Sequence, residues 1–178
     1  HCHTRRQRQM CIRDRLYLIG MMGSGKTSTG KALSLSLGWE FIDIDSEITK
    51  TYNSTINELF SKGEQYFREL ECAELKKHIS KENVILAVGG GAVTYEESFN
   101  LLGSKLCIYL KTSKNILLDR LQGDKSRPLL NVENKEEVLG KIIRQREQKY
   151  QALCNYEMST DNMTIKENCE KIMEMINV

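Results

Sequence analysis

Proline is nearly missing from this chain of 178 residues, occurring once, at Pro128. The segment that holds it, QGDKSRPLLN (122–131), is polar and reads as a mobile loop. No apolar run approaches the roughly 20 residues that span a bilayer, which excludes a transmembrane helix. The six cysteines (2, 11, 72, 107, 154 and 169) include no C-x-x-C pair. A zinc site and a disulfide framework are therefore not indicated, and the thiols read as reduced, cytosolic and in part core-filling. Internal repeats and low-complexity tracts are missing as well. So is a surplus of one charge: the net +2 comes from residues 1–15, whose five Arg and one Asp leave 21 basic and 23 acidic side chains for the rest. That balance argues against nucleic acid as a partner.

The opening stretch HCHTRRQRQMCIRDR shows no apolar leader core, no serine and no helical or strand period. It is read as an unstructured or extraneous leader over 1–14, outside a single domain over 15–178, since a chain of this length and 40% apolar content suits one core. In that domain short β-like runs alternate with helical stretches, the pattern of a parallel sheet wrapped by helices. Strands are expected at 15–20, 40–45, 83–89, 105–110 and 162–166. Helices are expected near 25–37, 46–52, 55–61, 64–80, 94–102, 113–122, 133–152 and 167–177. Capping boxes are read at Thr55 with Glu58 and at Thr94 with Glu97.

Between the first strand and the first helix stands GMMGSGKTSTG (20–30), which fits G-x-x-x-x-G-K-[ST] through Gly20, Gly25, Lys26 and Thr27. Its glycines let backbone N–H groups converge on phosphate oxygens, and a helix N-terminus adds partial positive charge. Lys26 is placed to reach the β- and γ-phosphates and Thr27 to put its hydroxyl on Mg²⁺. A glycine turn that binds nothing would need neither side chain. Asp43 and Asp45, two apart at the end of the second strand, are expected on one face at the carboxyl edge of the sheet, where ligands gather. One suits a metal and its waters, the other a substrate hydroxyl; the plainer alternative is a pair of helix-capping residues. Gly89-Gly90-Gly91 leaves room for a ligand against bare backbone. Arg68, Arg144 and Arg146 lie on helices, and Arg127 precedes Pro128 in the loop, where it can arrive over the phosphates with a closing lid. Arginine forks suit a carboxylate and Asp suits hydroxyls, so the acceptor is read as a small carboxylated polyol.

GMMGSGKTSTGKAL, FIDIDSEI, GEQYFRELE, AVGGGAV, SRPLL and REQKY occur in the order and spacing of shikimate kinases, and over 15–178 the chain resembles that family. The resemblance implies a P-loop NTPase-type three-layer α/β fold, with about five parallel strands, helices on both faces and a mobile lid. It implies transfer of the γ-phosphate of ATP to the 3-hydroxyl of shikimate with Mg²⁺; the body of the chain by itself is read as a compact cytoplasmic monomer that engages no membrane. The resemblance also implies roles. Gly23, Ser24, Gly25, Lys26, Thr27 and Ser28 would hold ATP, Arg120 would stack on adenine, and Arg127 would be the lid arginine. Thr27 would be the direct metal ligand with Asp43 behind its waters. Asp45 would hold the hydroxyls and act as base, Arg68 and Arg146 would clamp the carboxylate, and Gly90 and Gly91 would contact the substrate through backbone. Lys26, Asp45 and Arg127 are then the catalytic set; Arg144 has no counterpart and is read as a surface residue. A gluconate kinase and a nucleotide-binding protein without catalysis are the competing readings. The FRELE, GGG and RPLL segments argue against the first, and the presence of Lys26, Asp45, Arg68 and Arg146 against the second.

Overall fold

The computed structural model describes residues 14–124, 126 and 128–177. Five strands, β1 (Arg15–Ile19), β2 (Glu40–Asp43), β3 (Val84–Ala87), β4 (Cys107–Lys111) and β5 (Tyr156–Ser159), pair in the order β2-β3-β1-β4-β5, every pair parallel. The helices are α1 (Lys26–Leu37), α2 (Ile44–Tyr52), α3 (Ile56–Ser61), α4 (Glu64–His78), α5 (Glu96–Leu102), α6 (Lys114–Arg120), α7 (Lys135–Leu153) and α8 (Ile165–Ile176). Alternate residues along a strand enter opposite cores. Leu16 and Leu18 join Ile108 and Leu110 with Leu33 of α1 and Ile172 of α8, while Tyr17 and Ile19 join Leu86 and Tyr109 with residues of α2, α4 and α7. Covered on both faces, β3 and β4 read as continuous apolar runs, as a parallel sheet requires. The layers are those expected.

Three local expectations are corrected. The fifth strand is Tyr156–Ser159, not 162–166. Thr164 N-caps α8 in a capping box with Glu167, which draws the β-branched Thr164 and Ile165 into a helix start. The capping box read at Thr94 does not form: Thr94 Oγ1 donates to the Gly91 carbonyl at 2.7 Å, and Glu97 pairs instead with Lys76 at 2.6 Å. The box at Thr55 and Glu58 is present. Finally, β2 stops at Asp43 because its carboxylate caps α2, accepting from the Ser46 N–H at 3.3 Å. Asp45 therefore stands in the first turn of a helix rather than on a strand face. Cys72, Cys107, Cys154 and Cys169 are free thiols, three of them buried. Among the described residues no helix is long and apolar enough to cross a membrane.

Candidate active site

The loop between β1 and α1 lies at the carboxyl edge of the central strand. Gly23 and Gly25 adopt φ of 79° and 92°, a left-handed backbone that glycine enters without strain. Gly25 is the N-cap of α1 and supplies no side-chain acceptor, so the first N–H groups of the helix have no capping side chain to compete for them. They border a cavity of about 390 Å³ that Gly23, Ser24, Gly25, Lys26, Thr27 and Ser28 all help to line. Lys26 Nζ folds back onto the Gly20 and Met21 carbonyls, at 2.8 Å each. Thr27 Oγ1 donates to Asp43 Oδ2 at 2.6 Å, so the first turn of α1 meets the N-cap of α2 beside the loop. Asp43 thus carries both readings at once, as a helix cap and as a carboxylate facing the loop. At the far end Arg120 donates to the Gly23 and Thr160 carbonyls, both at 3.2 Å, which holds its guanidinium over the cavity rim.

A second, smaller cavity of about 50 Å³ adjoins the first, and Met22, Asp45 and Gly90 border both. Arg68 and Arg146 reach it from α4 and α7, each more than nine-tenths buried. Arg68 donates to Glu71 Oε2 at 2.7 Å and, through Nε and Nη2, to Glu64 Oε1 at 3.3 and 2.9 Å. Burial works against its charge, but Glu71 and Glu64 outweigh it and hold the guanidinium above its ordinary pKa. Arg146 has no carboxylate so close among the described residues; Nη1 donates to the Gly90 carbonyl at 3.1 Å, and burial pulls its pKa down, the Tyr150 hydroxyl opposing and the like charge of Arg68 adding to the fall. The Tyr150 hydroxyl donates to the same carbonyl. A Cβ on Gly91 would overlap the Arg68 guanidinium, which explains glycine there without appeal to a turn. Two buried guanidiniums, Arg68 paired with Glu71 and Glu64 and Arg146 held on the Gly90 carbonyl, thus stand with Asp45 around one cavity, a set of groups chemically suited to an anion that also carries hydroxyls.

Every residue expected at the site comes to one of these cavities except Arg127, which lies outside the described residues. Arg144 is exposed, as read. Several residues of the site were not singled out in the sequence. Glu71 is wholly buried, its Oε1 has no hydrogen-bond partner among the described residues, and burial lifts its carboxyl pKa against the pull of Arg68. Phe60 and Phe67 offer ring faces to Arg68 with centroids 5.7 and 5.5 Å away. Met163, Ile165 and Asn168 line the Arg120 end of the larger cavity. Only Glu71 had a signal, one helical turn after Arg68 in FRELE; the others meet the site through tertiary packing.

The family profile for shikimate kinase matches residues 22–177. A shikimate kinase of Thermodesulfovibrio yellowstonii is 37% identical over 161 residues, covering 89% of this chain and 92% of the relative. One of Acinetobacter baumannii is 37% identical over 163 residues, covering 90% and 91%. Among solved structures, the Acinetobacter baumannii shikimate kinase in complex with shikimate superposes with a TM-score of 0.90 at 34% identity, covering 95% of this chain and 97% of that one. A gluconokinase from Sinorhizobium meliloti reaches a TM-score of 0.57 at 14% identity, which is likeness of fold alone. Identity above a third along nine-tenths of both chains, on a backbone that superposes this closely, makes this chain a member of the shikimate kinase family.

Proposed function

We propose that this protein transfers the γ-phosphate of ATP to the 3-hydroxyl of shikimate, giving shikimate 3-phosphate and ADP. The observation that carries the reading is that Asp45 borders both the phosphate-loop cavity and the arginine-lined cavity, so one carboxylate faces donor and acceptor together. Shikimate would sit with its carboxylate toward Arg68 and Arg146, its ring against the Gly90–Gly91 backbone and its hydroxyls toward Asp45. ATP would lie along residues 23–28 with its base at Arg120. Asp45 accepts the proton of the attacking hydroxyl, whose oxygen bonds to the γ-phosphorus as the bond to the β–γ bridging oxygen breaks and ADP leaves. Lys26 neutralises charge on the phosphates, and Arg127 is assigned the same role from the lid, whose closing excludes the water that would otherwise hydrolyse ATP.

The Thr27 hydroxyl and Asp43 carboxylate, 2.6 Å apart beside the loop, fit Mg²⁺, a hard cation that takes few protein oxygens and keeps water and phosphate around it. No cluster of three or more His, Cys, Asp or Glu suited to a metal occurs among the described residues, in keeping with that sparse donor set. When bound there, Mg²⁺ supplies charge neutralisation at the phosphate oxygens.

The test is ADP formation from Mg²⁺·ATP with shikimate, gluconate or AMP as acceptor. ADP formed only with shikimate is expected; a folded, ATP-binding protein with no transfer to shikimate overturns the assignment of the arginine pair.

A further inference from the structure

Acids outnumber cations around the arginine-lined cavity. Among the described residues two guanidiniums, Arg68 and Arg146, meet three carboxyl groups: Asp45 on its wall, and Glu71 and Glu64 on the Arg68 guanidinium. An acceptor that arrives as a carboxylate adds one more anion, and closing around it removes water that screens the others. Glu64 is half exposed, its side chain 48% accessible, so solvent carries its charge. Glu71 has no such outlet. Its side chain is 1% accessible, Oε2 accepts from Arg68 Nη1 at 2.7 Å, and Oε1 has no hydrogen-bond partner among the described residues. A Cβ on Gly89 would overlap Glu71 Oε1 and stand 3.0 Å from Asp45 Oδ1, so both acids crowd one stretch of glycine backbone.

The groups that set the charge of Glu71 come from three helices. Burial raises its pKa, Arg68 on its own helix opposes, Asp45 of α2 raises it further and Arg146 of α7 opposes. The Tyr150 hydroxyl, also on α7, keeps its proton because burial pushes its own pKa up. The acceptor carboxylate would engage the two guanidiniums that hold Glu71 ionised, and the balance then tips toward the protonated acid. Asp45 cannot take that proton and also serve as base. Resting on the kinase reading above, we propose that Glu71 takes up one proton on Oε1 as shikimate binds, so that the acceptor site holds its carboxylate less tightly as pH rises. Oε2 stays an acceptor in the protonated acid, so the Arg68 contact survives the change. Shikimate affinity is then greatest where Glu71 is already protonated in the free protein. It falls by up to about tenfold per pH unit above that point, and levels off once the complex too has lost the proton.

The test is calorimetry of shikimate binding without nucleotide, between about pH 6 and about pH 9, in buffers of low and of high ionisation enthalpy. The buffer dependence counts the protons taken up, and no phosphoryl transfer intervenes. Wild type is expected to take up a fraction of a proton that approaches one where the affinity falls most steeply. Glu71→Gln presents the neutral form at every pH, so it should show no uptake and an affinity that varies less than about twofold over the range. The methyl ester of shikimate adds no anion and should bring no uptake to wild type. A glutamate that only held Arg68 in place would give no uptake in wild type, and its glutamine variant would bind shikimate more weakly at every pH. No uptake in wild type at any pH, or the same uptake in Glu71→Gln, overturns the proposal. If Glu71→Gln does not fold, the ester decides, and equal uptake with acid and ester overturns it. Should wild type bind no shikimate at all, the function reading fails and this inference with it; binding without uptake leaves the function reading standing and removes this inference alone.

Discussion

Replacing Arg68 with lysine keeps a positive charge at the acceptor cavity and removes the planar fork, so it isolates what the fork contributes. Arginine has five N–H donors, and three are used on Glu64 and Glu71, through Nε, Nη1 and Nη2. One donor on each Nη remains, a spacing that matches the two oxygens of a carboxylate. The lysine ammonium has three donors on a single atom and must satisfy Glu71, the nearer and buried partner, first. The substrate then loses about one charge-assisted hydrogen bond in a desolvated site, roughly 1.5–3 kcal/mol. That corresponds to a rise of about 10- to 150-fold in the KM for shikimate, with kcat little affected. Because Glu71 keeps a cation, the folded state should lose only about 1–2 kcal/mol, less than removal of a buried partner costs, and about 2–4 °C of melting temperature per kcal/mol. The assay is steady-state kinetics well below that transition, with shikimate and with its methyl ester. The ester removes the anionic carboxylate from the other side of the contact, so wild type should handle it poorly and Arg68→Lys should lose little more. Equal losses on acid and ester would refute the reasoning, because Arg68 would then not be coupled to the carboxylate.

Gly91→Ala should raise the KM for shikimate by roughly tenfold, about one charge-assisted hydrogen bond, since its Cβ would land on the Arg68 guanidinium. ATP binding measured by calorimetry should be unchanged in that variant, because Gly91 lies on the acceptor cavity and not on the phosphate-loop cavity. Glu167→Gln should flatten the acid side of the stability curve. The Thr164 backbone N–H, and then its hydroxyl, hold the Glu167 carboxyl below its ordinary pKa of 4.5. Its contribution is therefore present above the unfolded pKa and lost as pH falls through the folded one. Thermal melts from neutral pH to about pH 3 should show the variant less stable at neutrality, with the gap closing in acid; a constant gap would assign the effect to the cap hydrogen bond rather than to charge.

Much of the molecule was legible because its signals are local. The phosphate loop needs glycines, a lysine and a hydroxyl at fixed nearby positions, and the residues assigned to ATP there are neighbours in the chain. The apolar runs of β1, β3 and β4 follow from strands covered on both faces, so composition alone marks them. The edge strand β5 escaped because just one of its four residues, Met158, is buried, leaving no apolar pattern to read. The two helix-start misreadings share a cause: Thr with Glu three residues later occurs at both Thr94 and Thr164, and tertiary contacts decide which forms a capping box. At Thr94 the hydroxyl is taken by Gly91 and the glutamate by Lys76.

By itself, the sequence determined the α/β alternation, the nucleotide loop, the arginine pair and the family, because each rests on residue type and spacing along the chain. Only the tertiary structure decided which side chains share a cavity. It moved Asp45 from a strand face to a helix turn and still set it on the border of the phosphate-loop and arginine-lined cavities. It buried Glu71 against Arg68, and it closed α8 onto α1, where Cys169 Sγ donates to the Thr29 carbonyl. Such juxtapositions depend on how helices from opposite ends of the chain pack on the sheet, and packing is settled by burial of the whole core rather than by any local run of residues.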